Sequence, residues 1–158
     1  MKIEIFTDGA AKGNPGPGGY GAILRFKEKE KELSQGYRNT TNNRMELLAV
    51  IVALESLKST KYPVVIYSDS KYVVDSVEKG WVFGWQKKGF KGKKNVDLWS
   101  RYIPLHQKFK PSFKWVKGHS GHPENERCDR LAVAAAEQKN LPPDEPFEKM
   151  KSNEGDLV

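Results

Sequence analysis

The chain has little of what disulfide-rich or membrane-spanning proteins contain. Cys128 is its single cysteine, so no internal disulfide can form, which is compatible with a reducing compartment. Its longest apolar run, at 47–54, is eight residues long, far short of the roughly 20 that a transmembrane helix needs. The N-terminal MKIEIF alternates like a strand and lacks the apolar core of a signal peptide. We therefore expect a cytoplasmic protein that does not bind membranes.

Acidic residues are almost missing from one stretch of a chain whose net charge is +7. Residues 79–117 hold eleven Lys/Arg and one acid, so the segment carries +10 and the remaining residues sum to −3. Such a segment is typical of a surface that binds a polyanion, although a solvated, solubilising surface has the same composition. Aromatic residues favour nucleic acid because their faces can stack on bases or sugars, and four are interleaved with these lysines: Trp81, Trp85, Phe90 and Trp99.

Hydrophobic periodicity predicts a mixed α/β domain. Strands are expected at 2–8, 19–26, 31–38, 64–67 and 112–116, and helices at 43–58, 70–78, 81–86, 96–107 and 124–138. Pro104 is expected to kink or break the fourth helix. The order β-β-β-α-β-α-α-α-β-α predicts one mixed five-stranded sheet flanked by helices.

The last residues differ from the rest in composition. Residues 140–158 are polar, contain proline and hold few apolar groups to bury. We therefore expect a catalytic domain at 1–139 and a flexible tail at 140–158 that is dispensable for folding.

Four acids stand out by position. Asp8 is expected to close the first strand and Asp69 the buried fourth strand, and ligands collect at the carboxyl ends of strands in open sheets. Glu46 is expected in the first turn of the apolar helix, and Asp129 in the closing Ala-rich helix. Carboxylates are the ligands that hard divalent cations prefer.

Each acid also has a structural interpretation. Asp8 precedes a glycine and could be a turn residue, and Asp69 could cap the helix at 70–78. Glu46 could complete a capping box with Asn43, and Asp129 could be an exposed helical residue. Spacing alone does not show that the four meet in space.

Four motifs resemble those of bacterial type 1 ribonuclease H. They read FTDGAAKGNPGPGGYG, TTNNRMEL, YSDSKYV and WVKGHSGHPENERCDRLA, and they follow the family's order from about Lys2 to Gln138. The resemblance implies a ribonuclease H-like domain, an endonuclease that hydrolyses the RNA strand of RNA–DNA hybrids and leaves 5′-phosphate and 3′-hydroxyl ends. The expected protein is a monomer.

The resemblance also assigns the acids to one cluster. Asp8, Glu46, Asp69 and Asp129 correspond to the family's catalytic metal ligands, which implies two Mg²⁺ ions, with Mn²⁺ as a second candidate. Two cations suit phosphodiester hydrolysis because one can activate water while the other stabilises the leaving oxygen. His119 corresponds to the catalytic histidine that aids proton transfer or product release. His106 and His122 are expected to be structural.

Further positions resemble the family's substrate contacts. A protein that cuts only RNA opposite DNA must detect the 2′-hydroxyl on one strand, and the polar residues beside the metal site that match are Asn14, Asn42, Asn43 and Glu46. Thr41 and Asn95 match a DNA-phosphate pocket, and Trp81 and Trp85 match the aromatic part of the DNA-strand channel. The basic protrusion falls on Lys87, Lys88, Lys91, Lys93 and Lys94. It is compact here, and Lys71 stands where relatives often carry Gln.

Two other functions remain open at this point. The chain could be a catalytically silent module that binds hybrids or duplexes, although all four acids are present. It could instead be another nuclease or strand-transfer enzyme with the same carboxylate fold, but those enzymes usually carry additional DNA-binding domains.

Overall fold

The computed structural model describes residues 1–118 and 121–156, and within these ranges the chain forms five strands and six helices. The strands are β1 (Ile3–Ala11), β2 (Gly16–Phe26), β3 (Lys29–Thr40), β4 (Val64–Ser68) and β5 (Ser112–Trp115). The helices are α1 (Asn42–Glu55), α2 (Lys71–Glu78), α3 (Trp81–Lys87), α4 (Val96–Phe109), α5 (Pro123–Ala136) and α6 (Glu145–Asp156). The strand order is β3-β2-β1-β4-β5, with β1 antiparallel to β2 and parallel to β4. The predicted α/β fold with one mixed sheet is confirmed.

The sheet is covered on both faces, with β1 at its centre. Successive side chains of a strand point to opposite faces, and Ile5 packs into the main core with Leu47 of α1. Phe6, its neighbour, packs instead with Ile23 and with Cys128 of α5. Helices α1 and α5 therefore lie on opposite faces of β1.

Helix α1 is buried on nearly all sides. It begins after Thr41, whose hydroxyl caps the helix by accepting the Arg44 backbone N–H. Its buried residues run from Arg44 to Leu54 with a single interruption at Val52. Even so, none of the helices in the described ranges is long and apolar enough to cross a membrane.

Helix α5 packs directly on the backbone of β2. A Cβ atom added at Gly21 would lie 2.4 Å from the carbonyl oxygen of Cys128, closer than any van der Waals contact permits. Ion pairs fix the outer side of the same helix, where Arg25 of β2 binds Glu124 and Arg127 binds Glu30.

Gly21→Ala should therefore destabilise the protein by about 1–3 kcal/mol or more, the usual cost of overpacking a tight contact. Gly84→Ala is the matched control, because nothing lies within 4 Å of its added Cβ and the residue is inside helix α3. Alanine there should stabilise by roughly 0.5–1 kcal/mol. Thermal and urea unfolding measure both, and equal effects of the two changes would contradict the close packing of α5.

Pro104 does not break the fourth helix, which continues to Phe109. Proline removes the hydrogen bond to the carbonyl four residues earlier, on Ser100. Both residues are exposed, so water can satisfy that carbonyl. The predicted break is wrong for this reason, while the predicted kink stays a prediction.

The flexible tail expected at 140–158 is also wrong for the part that the structure describes. Helix α6 covers Glu145–Asp156, and the residues that begin it are anchored. Asp144 and Phe147 are buried, and Arg38 of β3 forms a bidentate ion pair with Glu148 at 2.9–3.1 Å. Composition could not predict this because the anchor is a charged residue and not an apolar stripe.

A buried arginine holds that anchor. Arg44 is 1% exposed, and its guanidinium donates to both carboxylate oxygens of Asp144 at 2.8 and 3.0 Å. It also donates to Asp97 of α4 at 2.7 and 2.9 Å, and Thr40 donates to Asp144 at 2.6 Å. A cation inside the apolar helix α1 requires buried acids, and this requirement is the sequence signal that could have located the docked segment.

Asp144→Ala should lower the stability of the protein by about 3 kcal/mol, near the low end for breaking a buried ion pair because Asp97 remains as a partner. Glu145→Ala removes the same charge from the neighbouring exposed position and should change stability far less. Thermal unfolding of both variants checks this. Equal, small effects would show that residues 140–158 are dispensable after all.

Candidate active site

The four acids come from four different elements. Asp69 follows the end of β4, Glu46 lies in the second turn of α1, and Asp129 is on α5. Asp8 does not close the first strand as expected, because β1 continues to Ala11 and pairs Asp8 with Gly21 of β2.

Three of the acids converge closely. Asp8, Glu46 and Asp69 each offer a carboxylate oxygen, and these oxygens all lie within 4.8 Å of one another. Asp129 is outside that group but lines the same cleft. Asp8 is on the face of β1 that α5 covers, by the alternation with Phe6, so Asp129 approaches it from that side.

Gly9 allows Glu46 to reach this position. A Cβ at residue 9 would lie 2.4 Å from the backbone nitrogen of Glu46, so helix α1 touches the β1 backbone beside Asp8. The Gly9 N–H donates to the Asp8 carboxylate at 2.9 Å. The Asp-Gly pair therefore brings two carboxyls together and does not form a turn.

The capping interpretations of two acids are excluded. Thr41, and not Asn43, caps α1, which places Glu46 beyond the position of a capping-box partner. Ser70, and not Asp69, caps α2 by accepting the Val73 N–H at 3.2 Å. Neither Glu46 nor Asp69 has a helix-capping role.

Burial and mutual repulsion disfavour the charged forms of these acids. Burial raises the pKa of Asp8 to about 7, and repulsion by Asp69 and Asp129 adds to this, while hydrogen bonds from Glu46 and the Gly9 N–H oppose it. Burial, followed by repulsion from Asp8, raises the pKa of Glu46 well above its usual value.

The arrangement fits a hard divalent cation. Within the described part of the chain, Glu46 Oε2 is a buried oxygen without a hydrogen-bond partner, which is costly unless another group binds it. An all-oxygen set of three or four carboxylates beside an open cleft is the donor set of Mg²⁺ or Mn²⁺. A cation would also remove the repulsion that raises the pKa of Asp8.

The cleft in front of the acids has a volume of about 440 Å³. Asn42 and Asn43 line it from the first turn of α1. Lys71 lines it as well, and its Nζ lies 4.7 Å from the ring centroid of Trp115. Trp115, which the sequence did not single out, donates from Nε1 to the carbonyl of Asp69 at 3.0 Å.

The predicted catalytic histidine, His119, lies outside the described residues. Its neighbour Gly118 is close to the site, because a Cβ there would lie 2.7 Å from Asp69 Oδ2. His122 was expected to be structural, but it is exposed and lines a small hollow with Asp8, Asp69 and Asp129. His106 is half-buried beside Tyr102, and burial lowers its pKa.

Three predicted substrate residues lie in a second cleft next to the first. Asn14, Thr41 and Asn95 line it, and Asn43 borders both clefts. Asn14 Oδ1 accepts the Asn42 N–H at 3.2 Å. Asn95 is buried, with its amide bonded to Arg44 and to Tyr72.

The basic segment presents its lysines to solvent. All five lysines of the predicted basic protrusion are exposed: Lys87, Lys88, Lys91, Lys93 and Lys94. Trp81 is 46% exposed, whereas Trp85 is half-buried, packs edge-on against Trp99 and lies beneath the Lys93 ammonium at 5.0 Å. Trp99 is fully buried and donates to Tyr72 at 2.8 Å, so its place among the lysines has no bearing on binding.

Comparison with known proteins points to one family. The family model for RNase H matches residues 1–137. The ribonuclease H of Desulforamulus reducens is 57% identical over 148 residues, which cover 90% of this chain and 92% of that protein. A crystal structure of a type 1 RNase H with the type 2 active-site motif is 31% identical, with a TM-score of 0.75 over 85% of this chain and 71% of the other. LC11-RNase H1 in complex with RNA/DNA hybrid is 26% identical, with a TM-score of 0.63 over 85% and 96%.

Because the carboxylates converge, we expect the metal-free protein to become less stable when Asp8 loses its proton. Because the folded pKa of Asp8 is raised from 3.8 to about 7, ionisation destabilises the metal-free protein. The penalty is absent below the unfolded pKa, grows as pH rises through this window and is complete above the folded pKa. Asp8→Asn should therefore stabilise the protein in chelator at about pH 8, by at most about 4 kcal/mol.

The measurement is thermal unfolding across that pH range, with chelator and with millimolar Mg²⁺. Mg²⁺ should stabilise the wild type by mass action and the variant much less. Glu28→Gln, in the exposed β2–β3 turn, is the control for loss of one acid. If Asp8→Asn is destabilised in chelator and Mg²⁺ shifts both proteins equally, the carboxylates do not form one site.

Proposed function

The chain belongs to the RNase H family and is a ribonuclease H, and from this we propose that it is an endonuclease that hydrolyses the RNA strand of RNA–DNA hybrids. The observation that carries the proposal is the approach of three carboxylates within 4.8 Å beside an open cleft. The hybrid is the proposed substrate because LC11-RNase H1 was solved in complex with one, and because an exposed basic surface suits a polyanion.

We propose that Asp8, Glu46, Asp69 and Asp129 hold two divalent cations, Mg²⁺ or Mn²⁺. Such ions, when bound, supply a nucleophilic water and neutralise the charge on the leaving oxygen. Asp8 is the proposed shared ligand, because its carboxylate lies close to those of Glu46 and Asp69 and also lines a small hollow with Asp129. The products of the proposed reaction are a 5′-phosphate and a 3′-hydroxyl.

The chain's own residues orient the strand. Asn42 and Asn43 are exposed at the mouth of the cleft, where amide groups can detect the RNA 2′-hydroxyl as donors or acceptors. Asn14 and the carboxylate of Glu46 complete this proposed RNA-side set. His119 is the proposed proton carrier at the scissile phosphate, with a side chain suited to titration near neutral pH.

The DNA strand is proposed to lie across the basic face. The exposed Trp81 and the half-buried Trp85 offer aromatic surface for contact with deoxyribose or bases. Lys87 and Lys88 extend this face and attract phosphates through long-range electrostatics. A single copy of the chain supplies every residue in this proposal, so we propose that the enzyme acts as a monomer.

Cleavage assays on labelled substrates test the proposal. The wild type should cut the RNA strand of RNA–DNA hybrid in Mg²⁺, and should leave double-stranded RNA and double-stranded DNA intact. Chelator should abolish cleavage. Asp69→Asn should remove nearly all activity while hybrid binding stays within a few-fold, because the ligands serve the transition state and the basic surface serves binding.

Asp75→Asn, on α2 and outside both clefts, is the control that should cleave normally. Binding without cleavage by the wild type would identify a silent hybrid-binding module. Cleavage of double-stranded DNA would indicate another nuclease with this fold. Turnover like that of the wild type in Asp69→Asn would reject the proposed ligand set.

His119→Ala should lower kcat by about 10²-fold or less, the lower range for general acid–base catalysis. KM should change little, because the histidine is proposed to move a proton and not to bind the hybrid. Steady-state kinetics of hybrid cleavage separate the two parameters. A loss as complete as that of Asp69→Asn would make His119 a ligand or a structural residue instead.

A further inference from the structure

Helix α6 forms one wall of the second cleft, beyond residues 1–137 that the RNase H family model matches. The cleft has a volume of about 230 Å³, several times the roughly 30 Å³ that one water occupies. Asn14, Thr41 and Asn95 line it from the body of the domain, and the first two turns of α6 close it on the other side.

The α6 residues at this wall share one face of the helix. They are Phe147, Met150 and Lys151, whose spacing of three and four residues places them side by side. Phe147 is buried, and Lys151 is exposed at the rim, with its Nζ 5.7 Å from the Phe147 ring centroid. The helix thus contributes an apolar base and a cationic edge.

Buried contacts position this face. Arg44 binds Asp144 directly before α6, and its guanidinium lies 5.6 Å from the ring centroid of Phe147. Glu148, about one turn before Lys151, is held by Arg38. Lys151 therefore stands at a defined place and does not belong to a loose terminus.

The chemistry of the lining suits a phosphate. Lys94 and Lys151 contribute two cations, the asparagines contribute amides and Thr41 contributes a hydroxyl. No Asp or Glu is among the described residues that line this cleft. Lysine, asparagine and threonine are the usual contacts to nucleic-acid phosphate oxygens.

We propose that α6 is part of the nucleic-acid-binding surface, and that Lys151 contacts a phosphate of the DNA strand seated in this cleft. The inference rests on the proposed function for the identity of the substrate, since Thr41 and Asn95 match a DNA-phosphate pocket. What α6 adds is a second cation opposite Lys94, from a segment outside the region that defines the family.

The test compares Lys151→Gln with Lys149→Gln. Both changes remove one charge from the same helix, but Lys149 does not line the cleft. The dissociation constant of a short RNA–DNA hybrid is measured in chelator over a series of salt concentrations. Lys151→Gln should reduce the slope of log K against log salt by about 0.7–0.9, the change for one lost phosphate contact, and Lys149→Gln should leave the slope unchanged. Equal slopes for the two variants would overturn the proposal.

A second measurement identifies the strand. Neutral methylphosphonate linkages replace each phosphate in turn, first in the DNA strand and then in the RNA strand. At one DNA position the replacement should weaken binding by the wild type more than binding by Lys151→Gln, because the variant has already lost one of the contacts to that phosphate. The DNA-strand assignment would be overturned if the sensitive position lay in the RNA strand, or if no position in either strand behaved in this way.

Wild-type cleavage of the same hybrid in Mg²⁺ separates the two proposals. If the wild type cleaves and the two variants have equal slopes, α6 is not part of the binding surface and the proposed function stands. If the wild type does not cleave but Lys151→Gln alone changes the slope, the phosphate contact stands and the proposed function fails.

Discussion

The fold is organised around carboxylates that repel one another. Asp8, Glu46 and Asp69 are held with oxygens within 4.8 Å, and two of them have almost no access to water. Neither their mutual repulsion nor their desolvation favours folding, so rigid neighbours must impose the arrangement. The central strand β1 does this for Asp8, and the close contact of α1 on Gly9 does it for Glu46.

Helix α1 carries both signs of buried charge. Glu46 faces the acidic cleft, whereas Arg44, two residues earlier, faces Asp97 and Asp144 on the other side. The Arg44 network has complementary charges with near-complete hydrogen bonding, the condition under which a buried ion pair is tolerated. The contrast identifies the site: charge is compensated where it serves structure and left uncompensated where a cation is proposed to bind.

Most helices and strands could be predicted from the sequence because the spacing of their apolar residues is clear. The predictions were wrong where charge or hydration decides the structure. The strands and the buried helix follow from alternating or clustered apolar residues. Helix α6 escaped notice because its anchor is Asp144, whose partner is distant in sequence. The break expected at Pro104 was wrong because Pro104 and Ser100 lie on the exposed side of α4, where water can replace the missing hydrogen bond. The acids converge only in the tertiary structure, so only the family resemblance indicated that they would meet.

The two clefts share the first turn of α1, which has a consequence for how a strand is positioned. Asn43 borders both, Thr41 lines the outer cleft, and Glu46 lies one turn further along the same helix. Because a buried helix of this kind behaves as a rigid body, a phosphate held by Thr41 and α6 would stand at a set distance from the carboxylates. Rate depends steeply on such positioning. Arg44 holds the start of α6 against α1 through Asp144, and it lines neither cleft. A change at Arg44 would therefore alter the distance between the bound strand and the carboxylates without removing a contact to the strand.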